Sequence, residues 1–457
     1  MRNNSFYYFL MKSLQPEFYG GCICMKNITV KIHNRIFNNA LFQNVSLILL
    51  LFFAGLINSR RHIAMTNIPF IDKIIFVLFV ILFIINVLTI IINHFHSREE
   101  FFRINKYWLP LIIIILLKYI ILFSQAFYSF IINKQTTTVQ IINFLVEYKI
   151  FFHIKYLIKL MINLIIISIL AIRIDNLPKL NSSIAAFGLG SAIAPIVGLI
   201  FFPDLIGRRI SDVNGVYFAG SFWNMSVIAF VSSAWLLIGN AHSKENRLKK
   251  YIYLFLVMTM FIGGIAGLSR GIVVSGFVST LVYIICLRDI KKLFKIVAIL
   301  IVLMLIIQLQ TGTILGKLKH RLDRLTNIKG EDRINIWKDY MEDIKSFFIL
   351  GAPIEGHRIY SKTGHGPHSV LLNWWSQFGI FAVMGFIWLI WGIWKSASYI
   401  YKNLSVEQGA ATYAWLFAYL SLAMINETGF KELPFYTAMG IIFAWGNLAK
   451  RYIIRNG

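Results

Sequence analysis

The stretch His368-Ser369-Val370-Leu371-Leu372-Asn373-Trp374-Trp375-Ser376-Gln377-Phe378-Gly379-Ile380-Phe381-Ala382 begins on an ionisable ring and runs into apolar sequence that continues to Trp394. The residues before it, Gly356-His357-Arg358-Ile359-Tyr360-Ser361-Lys362-Thr363-Gly364-His365-Gly366-Pro367, are polar, basic and glycine-rich. Val370 to Trp394 is long and apolar enough to cross lipid as a helix. The stretch therefore reads as the mouth of a membrane span with a histidine at its rim. An imidazole there titrates near neutral pH and can take or give a proton.

The rest of the chain agrees with that reading. Of 457 residues, 58% are hydrophobic and 14% charged, with a mean hydropathy of +0.68; a soluble chain carries about 25% charged residues. Apolar runs long enough to span recur near 42–58, 73–94, 107–126, 156–173, 182–202, 216–239, 251–268, 271–287, 296–311, 370–394, 409–425 and 434–449. The expected fold class is all-α, a polytopic membrane protein with about twelve transmembrane helices and one large periplasmic loop. Its expected parts are a cytoplasmic N-terminal segment (1–41), spans one to nine (42–311), the loop (312–369), and spans ten to twelve with a cytoplasmic tail (370–457). Met11 and Met25 offer alternative starts that would make residues 1–24 extraneous, and no cleavable signal precedes the first long apolar run near Leu41. Residues 127–155 leave a re-entrant segment open.

The net charge is +25, from 45 Lys plus Arg against 20 Asp plus Glu. In a membrane protein such an excess collects in cytoplasmic loops. The clusters Lys244/Arg247/Lys249/Lys250, Arg288/Lys291/Lys292/Lys295, Lys395/Lys402 and Lys450/Arg451/Arg455 all fall on one side by parity. Arg60 and Arg61 fall on the other, against the rule. No soluble basic domain is long enough to bind nucleic acid. Cys22, Cys24 and Cys286 have neither metal nor disulfide spacing.

Parity puts 312–369 outside, the longest connection between spans, and long loops in compact architectures are usually functional. Within it Ile334, Trp337, Met341, Ile344 and Phe348 recur at helical spacing, opposite Asn335, Lys338, Asp339, Glu342 and Lys345. That predicts an amphipathic helix ended by Gly351-Ala352-Pro353, lying on the bilayer or capping a cavity.

Outer cations are the ones that topology leaves unexplained. Arg208 and Arg209 sit in a short outer loop, Arg270 in a hairpin with almost no loop, and Arg333 at the start of the loop helix. Charges held at a membrane boundary are functional candidates, and converging guanidinium groups suit phosphate oxygens. The competing reading is snorkelling to lipid headgroups. It is preferred for Arg321, Arg324 and Arg358, disfavoured for the tightly held Arg270, and left open for Arg208, Arg209 and Arg333. Lys118, inside the third span, reads as snorkelling or structurally paired. A structural role is the default for a lone histidine, and the flexible polar approach carrying His365 and its neighbouring glycines weakens that default for His368. No carboxylate or cysteine stands at a spacing that would complete a metal site with His357, His365 and His368.

These pieces resemble a family. His368-Ser369, nine residues, Gly379, two residues and Ala382-Val383 is similar to the signature of bacterial O-antigen ligases, with Ala382 where glycine is usual. Gly207-Arg208-Arg209 followed by Gly220-Ser221-Phe222-Trp223-Asn224 resembles that family's outer arginine loop. Ser269-Arg270-Gly271 resembles its arginine hairpin, and Asp332-Arg333-Ile334-Asn335-Ile336-Trp337 resembles its Arg-x-x-x-Trp loop helix. The resemblance covers roughly residues 180–450. It implies a helical, GT-C-like glycosyltransferase of the bacterial inner membrane, with its active site facing the periplasm and no cofactor. The implied donor is an undecaprenyl-diphosphate-linked glycan and the implied acceptor is lipid A–core. Arg208, Arg209, Arg270 and Arg333 would hold the diphosphate, His368 would act as general base, and His365 and Arg358 would be further loop candidates. The chain has no Asp-x-Asp motif, which fits the metal-independent chemistry that the resemblance implies. Related polymerases share the domain and join lipid-linked repeat units to each other. A flippase or transporter is the alternative from another class, but it should bury cations within several spans.

Overall fold

The structure, a computed structural model, describes residues 40–57, 71–94, 106–132, 150–201, 270–288, 332–352, 366–426 and 432–456, with single positions at 229, 232, 233, 236, 291 and 298. The chain divides into two compact units, Met1–Ser46 and Leu47–Gly457. Of the first, only the opening turns of a helix are described. Everything below concerns the second.

Every described element is helical. In order they are α1 (Ala40–Leu56), α2 (Ile71–His94), α3 (Leu109–Ile132), α4 (Ile150–Arg173), α5 (Leu177–Phe201), α6 (Arg270–Leu287), α7 (Asp332–Glu342), α8 (Ile344–Phe347), α9 (Val370–Phe378), α10 (Ile380–Asn403), α11 (Val406–Asn426) and α12 (Leu433–Asn456). Among the described residues three stretches are long and apolar enough to cross a membrane: Lys73–Ile91, Ile154–Arg173 and Ile380–Asn403. Leu41–Leu56, Leu109–Ser124 and Val274–Leu287 are shorter apolar helices. The expected spans at 216–239, 251–268 and 296–311 lie outside the described residues but for single helical positions.

Composition explains why these segments are helical although Ile, Val and Phe are indifferent helix formers. In lipid each backbone polar group must be satisfied within its own segment, and a helix does this. In α2, Ile74, Val77, Ile81, Ile84, Leu88 and Ile91 stay exposed, while Ile75, Phe79 and Phe83 are buried. Its polar side chains turn back on their own helix: Asn86 Nδ2 donates to Leu82 O (2.9 Å) and Thr89 Oγ1 to Ile85 O (2.7 Å). Helix starts carry ordinary caps. Asn176 Oδ1 accepts from Lys179 N, and Ser405 Oγ from Gln408 N.

Contacts along α10 set the order of levels in the bundle. Phe378, just before α10, meets Tyr119 of α3, and Trp388 Nε1 donates to Lys106 O, so α3 runs antiparallel to α10. Phe386 stacks on Phe435 and Lys450 lies over Tyr399, so α12 runs parallel to it. Gly446 admits Ser396, and Gly440 admits Ile167 and Leu170 of α4, the small-residue approach that membrane helices favour. The C-terminus of α6 is tied where Tyr401 Oη donates to Cys286 O. One end of the bundle thus gathers Lys106, Arg173, Arg288, Lys395, Lys402, Lys450 and Arg451. Gly379 and Tyr156 lie at the other, with the N-terminus of α6.

Two expectations need correction. Residues 370–394 are not one span. A straight helix would separate Trp374 from Phe386 by about 18 Å, yet their ring centroids are 5.9 Å apart. The chain breaks at Gly379 (φ 80°), α9 folds back on the first turns of α10, and the apolar helix continues to Asn403. The loop helix also ends early, at Glu342, and turns at Asp343 into the short α8. Its buried face is Ile336, Tyr340 and Phe347, whereas Met341 and Phe348 are exposed. Two stripes one residue apart both read as apolar, and packing selected the one carrying the bulkier aromatic pair, Tyr340 and Phe347, whose rings meet edge-on.

Gly379 is the position least tolerant of a side chain, since a Cβ there would overlap Ile349 O in a backbone region that L-residues rarely adopt. Gly379→Ala should lower unfolding stability by about 2–4 kcal/mol, read as a downward shift of the thermal midpoint in detergent. An unchanged midpoint would remove the break from the fold's constraints.

Candidate functional site

His368 stands in left-handed backbone (φ 48°), which Arg288 alone shares among the described non-glycine residues. Such a conformation costs a non-glycine residue about 1–2 kcal/mol. It persists where neighbours over-determine it, commonly at functional sites. Here the neighbours are visible. Pro367, Ser369 and Val370 are buried on either side, while His368 itself is half-buried.

The clamp on Pro367 comes from the loop. Trp337 of α7 donates its indole Nε1 to Pro367 O at 2.6 Å. The carbonyl just before the histidine is therefore held by the helix on which Arg333 precedes Trp337 by one turn. A small apolar cluster of Ile336, Tyr340, Phe347 and Ala352, flanked by Trp337, Ile344 and Trp375, locks α7 and α8 to α9. The Arg-x-x-x-Trp spacing and the His-Ser pair, separate in sequence, meet here through backbone and indole.

On the far side of His368 begins α9. Ser369 is its N-cap residue in extended conformation, and its hydroxyl does not cap the helix. Ser369 thus leaves the first-turn amides of α9 to other partners, and a helix N-terminus of this kind favours an anionic oxygen. Beneath them lies a polar ladder in an otherwise apolar helix. Tyr156 Oη of α4 donates to Gln377 Oε1 (3.2 Å), and Gln377 Nε2 donates to Asn373 Oδ1 (3.2 Å). Asn373 and Gln377 are fully buried, and Asn373 Nδ2 has no hydrogen-bond partner among the described residues. Side chains on a helix lean toward its N-terminus, so that last donor leans toward the turn that holds His368. Asn373 and Gln377 were visible in the sequence as polar residues four apart in an apolar run; no sequence signal points to Tyr156.

The remaining candidates are placed unevenly. Arg270 is the first residue of α6, at the end of the bundle where Gly379 and α9 lie, and Arg333 is the second residue of α7. Arg208, Arg209, Arg358 and His365 lie outside the described residues, as do His357, Arg321 and Arg324. Among the described residues, no three His, Cys, Asp or Glu side chains gather to hold a metal ion. Lys118 does not snorkel: its Nζ donates to Leu350 O (2.8 Å) and Gly351 O (3.0 Å), capping the chain that follows α8.

No protein-family model matches this chain, and no curated protein matches it either.

Two predictions separate packing from chemistry. His368→Gly should leave stability within about 1 kcal/mol of the parent, whereas β-branched His368→Val should lose about 1–2 kcal/mol in the left-handed region; unfolding midpoints of the two variants check this, and equal losses would contradict the strained turn. Gln377→Leu removes the acceptor that Tyr156 Oη uses and the donor to Asn373 Oδ1, so it should cost about 1–3 kcal/mol, and adding Tyr156→Phe should recover part of it in a double-mutant cycle.

Proposed function

We propose that this chain is a multi-pass glycosyltransferase of the O-antigen ligase type. In this reading it sits in a bacterial inner membrane and moves a glycan from undecaprenyl diphosphate to lipid A–core at the periplasmic face. The observation that carries the proposal is the Trp337–Pro367 hydrogen bond. It holds the helix on whose backbone Arg333 sits against the residue before His368, which supports the reading that a loop cation and a proton acceptor serve one site. Three further features support it. Lys106, Arg173, Arg288, Lys395, Lys402, Lys450 and Arg451 gather at one end of the bundle, as the positive-inside rule asks of the cytoplasmic end, while Lys118 and Lys155 stand toward the other. The histidine turn lies toward the opposite end. Arg270 begins α6 at that same end.

The chemistry follows from the charges. The acceptor hydroxyl oxygen attacks the anomeric carbon of the donor sugar. The bond from that carbon to the phosphate oxygen breaks, and its electron pair leaves on the diphosphate. His368 takes the hydroxyl proton and later yields it to solvent or to the departing phosphate. Arginine guanidinium groups from Arg208, Arg209, Arg270 and Arg333 offset the charge that accumulates on the leaving group, a task that bidentate donors perform without a metal. Uncapped amides of α9 add dipoles of the same sign.

Complementation of a ligase-null strain tests the proposal. His368→Ala, Arg270→Ala and Arg333→Ala should each leave the protein inserted at normal level and reduce surface glycan by about a hundredfold or more, in line with loss of a proton acceptor or a charge clamp. Gel banding then tells ligase from polymerase: bare core follows loss of a ligase, core plus one repeat follows loss of a polymerase. Full glycan transfer by His368→Ala would refute the site.

A further inference from the structure

The segment joining α8 to Ala352 is apolar on its outside and hydrogen-bonded on its inside. Phe348, Ile349 and Leu350 are 44%, 59% and 54% exposed. They follow a stretch from the end of α7 into α8 whose exposed residues include the charged Glu342, Asp343 and Lys345. Two of their three carbonyls, those of Phe348 and Leu350, are by contrast held by protein donors. Phe347 O accepts from Gly351 N (3.0 Å), and Phe348 O accepts from both Ile380 N (2.9 Å) and Trp375 Nε1 (3.2 Å). Lys118 Nζ serves Leu350 O and Gly351 O, and Ala352 N donates to Ser376 O (2.6 Å).

A loop bathed in water has no need of this, because water satisfies its carbonyls. In hydrocarbon an unsatisfied backbone group costs several kcal/mol, and irregular chain survives there only when protein supplies the partners. Spending an ammonium group of an apolar helix on two backbone carbonyls fits the second setting and not the first.

Depth agrees. Ile380 N holds Phe348 O, so the segment lies at the level where α10 begins. Lys395, within the basic end, is fifteen residues further along α10, about 22 Å on the helix axis. A hydrocarbon layer about 30 Å thick, with its basic face near Lys395, therefore reaches past Ile380 and covers this segment. Exposed Phe381 and Met384 of α10 and Leu117, Ile120 and Ile121 of α3 stand at the same level and continue the apolar surface. Trp375, edge-on to Phe348 at 5.5 Å, supplies the amphipathic ring typical of a membrane interface.

We infer that Phe348-Ile349-Leu350 is a wedge seated among the acyl chains of the bilayer, anchoring the α7–α8 loop, and through Trp337 the His368 turn, at the lipid surface. The wedge takes lipid as its occupant because its apolar face is continuous with the lipid-facing sides of α3 and α10, and the carbonyls of Phe348 and Leu350 are already held by protein donors. This rests only on α10 crossing a bilayer, not on the glycosyl-transfer reading.

The test uses the full chain with Cys22, Cys24 and Cys286 replaced by Ser, reconstituted in phosphatidylethanolamine–phosphatidylglycerol vesicles. Ile349→Cys and Leu350→Cys are labelled separately with an environment-sensitive nitrobenzoxadiazole dye, with Lys345→Cys as the aqueous reference. At 349 and 350, blue-shifted emission, strong quenching by doxyl-labelled lipid and several-fold weaker quenching by iodide than at 345 are expected. Iodide quenching equal to that at 345 would overturn the inference. So would efficient disulfide cross-linking between two copies through Cys at 349, since the occupant would then be a second protein. Because neither readout involves glycan transfer, an inactive but lipid-seated protein refutes only the proposed function.

Discussion

At Gly379 the helical chain is interrupted inside an apolar stretch, and the groups that a continuous helix would satisfy internally must find donors and acceptors elsewhere. The chain following α8 supplies them: Phe348 O takes the amide of Ile380, and Ser376 O takes the amide of Ala352. Gly351, also at positive φ, lies so close to Gln377 and Phe378 that a side chain there would overlap their backbone. Break and docking segment are therefore each other's condition. A bulkier residue at either glycine removes the contact, and without the contact the break leaves bare polar groups in an apolar surrounding.

The histidine turn inherits its conformation from this arrangement. One hydrogen bond contributes about 0.5–1.5 kcal/mol, which only offsets the about 1–2 kcal/mol cost of left-handed backbone at His368. The Trp337–Pro367 bond alone would leave the turn poised between conformers. What tips it is burial: Pro367, Ser369 and Val370 are inside, and the Ile336–Tyr340–Phe347 cluster holds α7 in place. A strained ring carrier on packed supports is held in one conformation by its neighbours. The ladder from Tyr156 through Gln377 to Asn373 stiffens the same helix from below, making the first turn of α9 rigid as well as electropositive.

Several features were legible in the residues themselves. Apolar runs of spanning length placed α1, α2, α3, α4, α5, α6, α11 and α12 to within a few residues at most ends, because lipid solubility depends on composition and length alone. The Arg333 helix was foreseen from helical spacing, and Gly379 appeared as a fixed point in the motif that begins at His368. The misread elements share a cause. Residues 370–394 are uniformly apolar, and hydropathy does not distinguish a straight span from one that folds back at a glycine. The loop helix offers two apolar stripes sharing Trp337 and Ile344, and periodicity weighs them equally.

Sequence alone thus determined that the chain is helical, that several of its helices are apolar enough for lipid, and which histidine and arginines were worth following. Those properties are sums over side chains, and summing needs no coordinates. Only the tertiary structure decided that Trp337 grips Pro367, that Lys118 serves backbone rather than headgroups, and that Tyr156 reaches Gln377. Each of these joins residues separated by 30 to 233 positions, and such a meeting depends on how helices pack rather than on what any one of them contains.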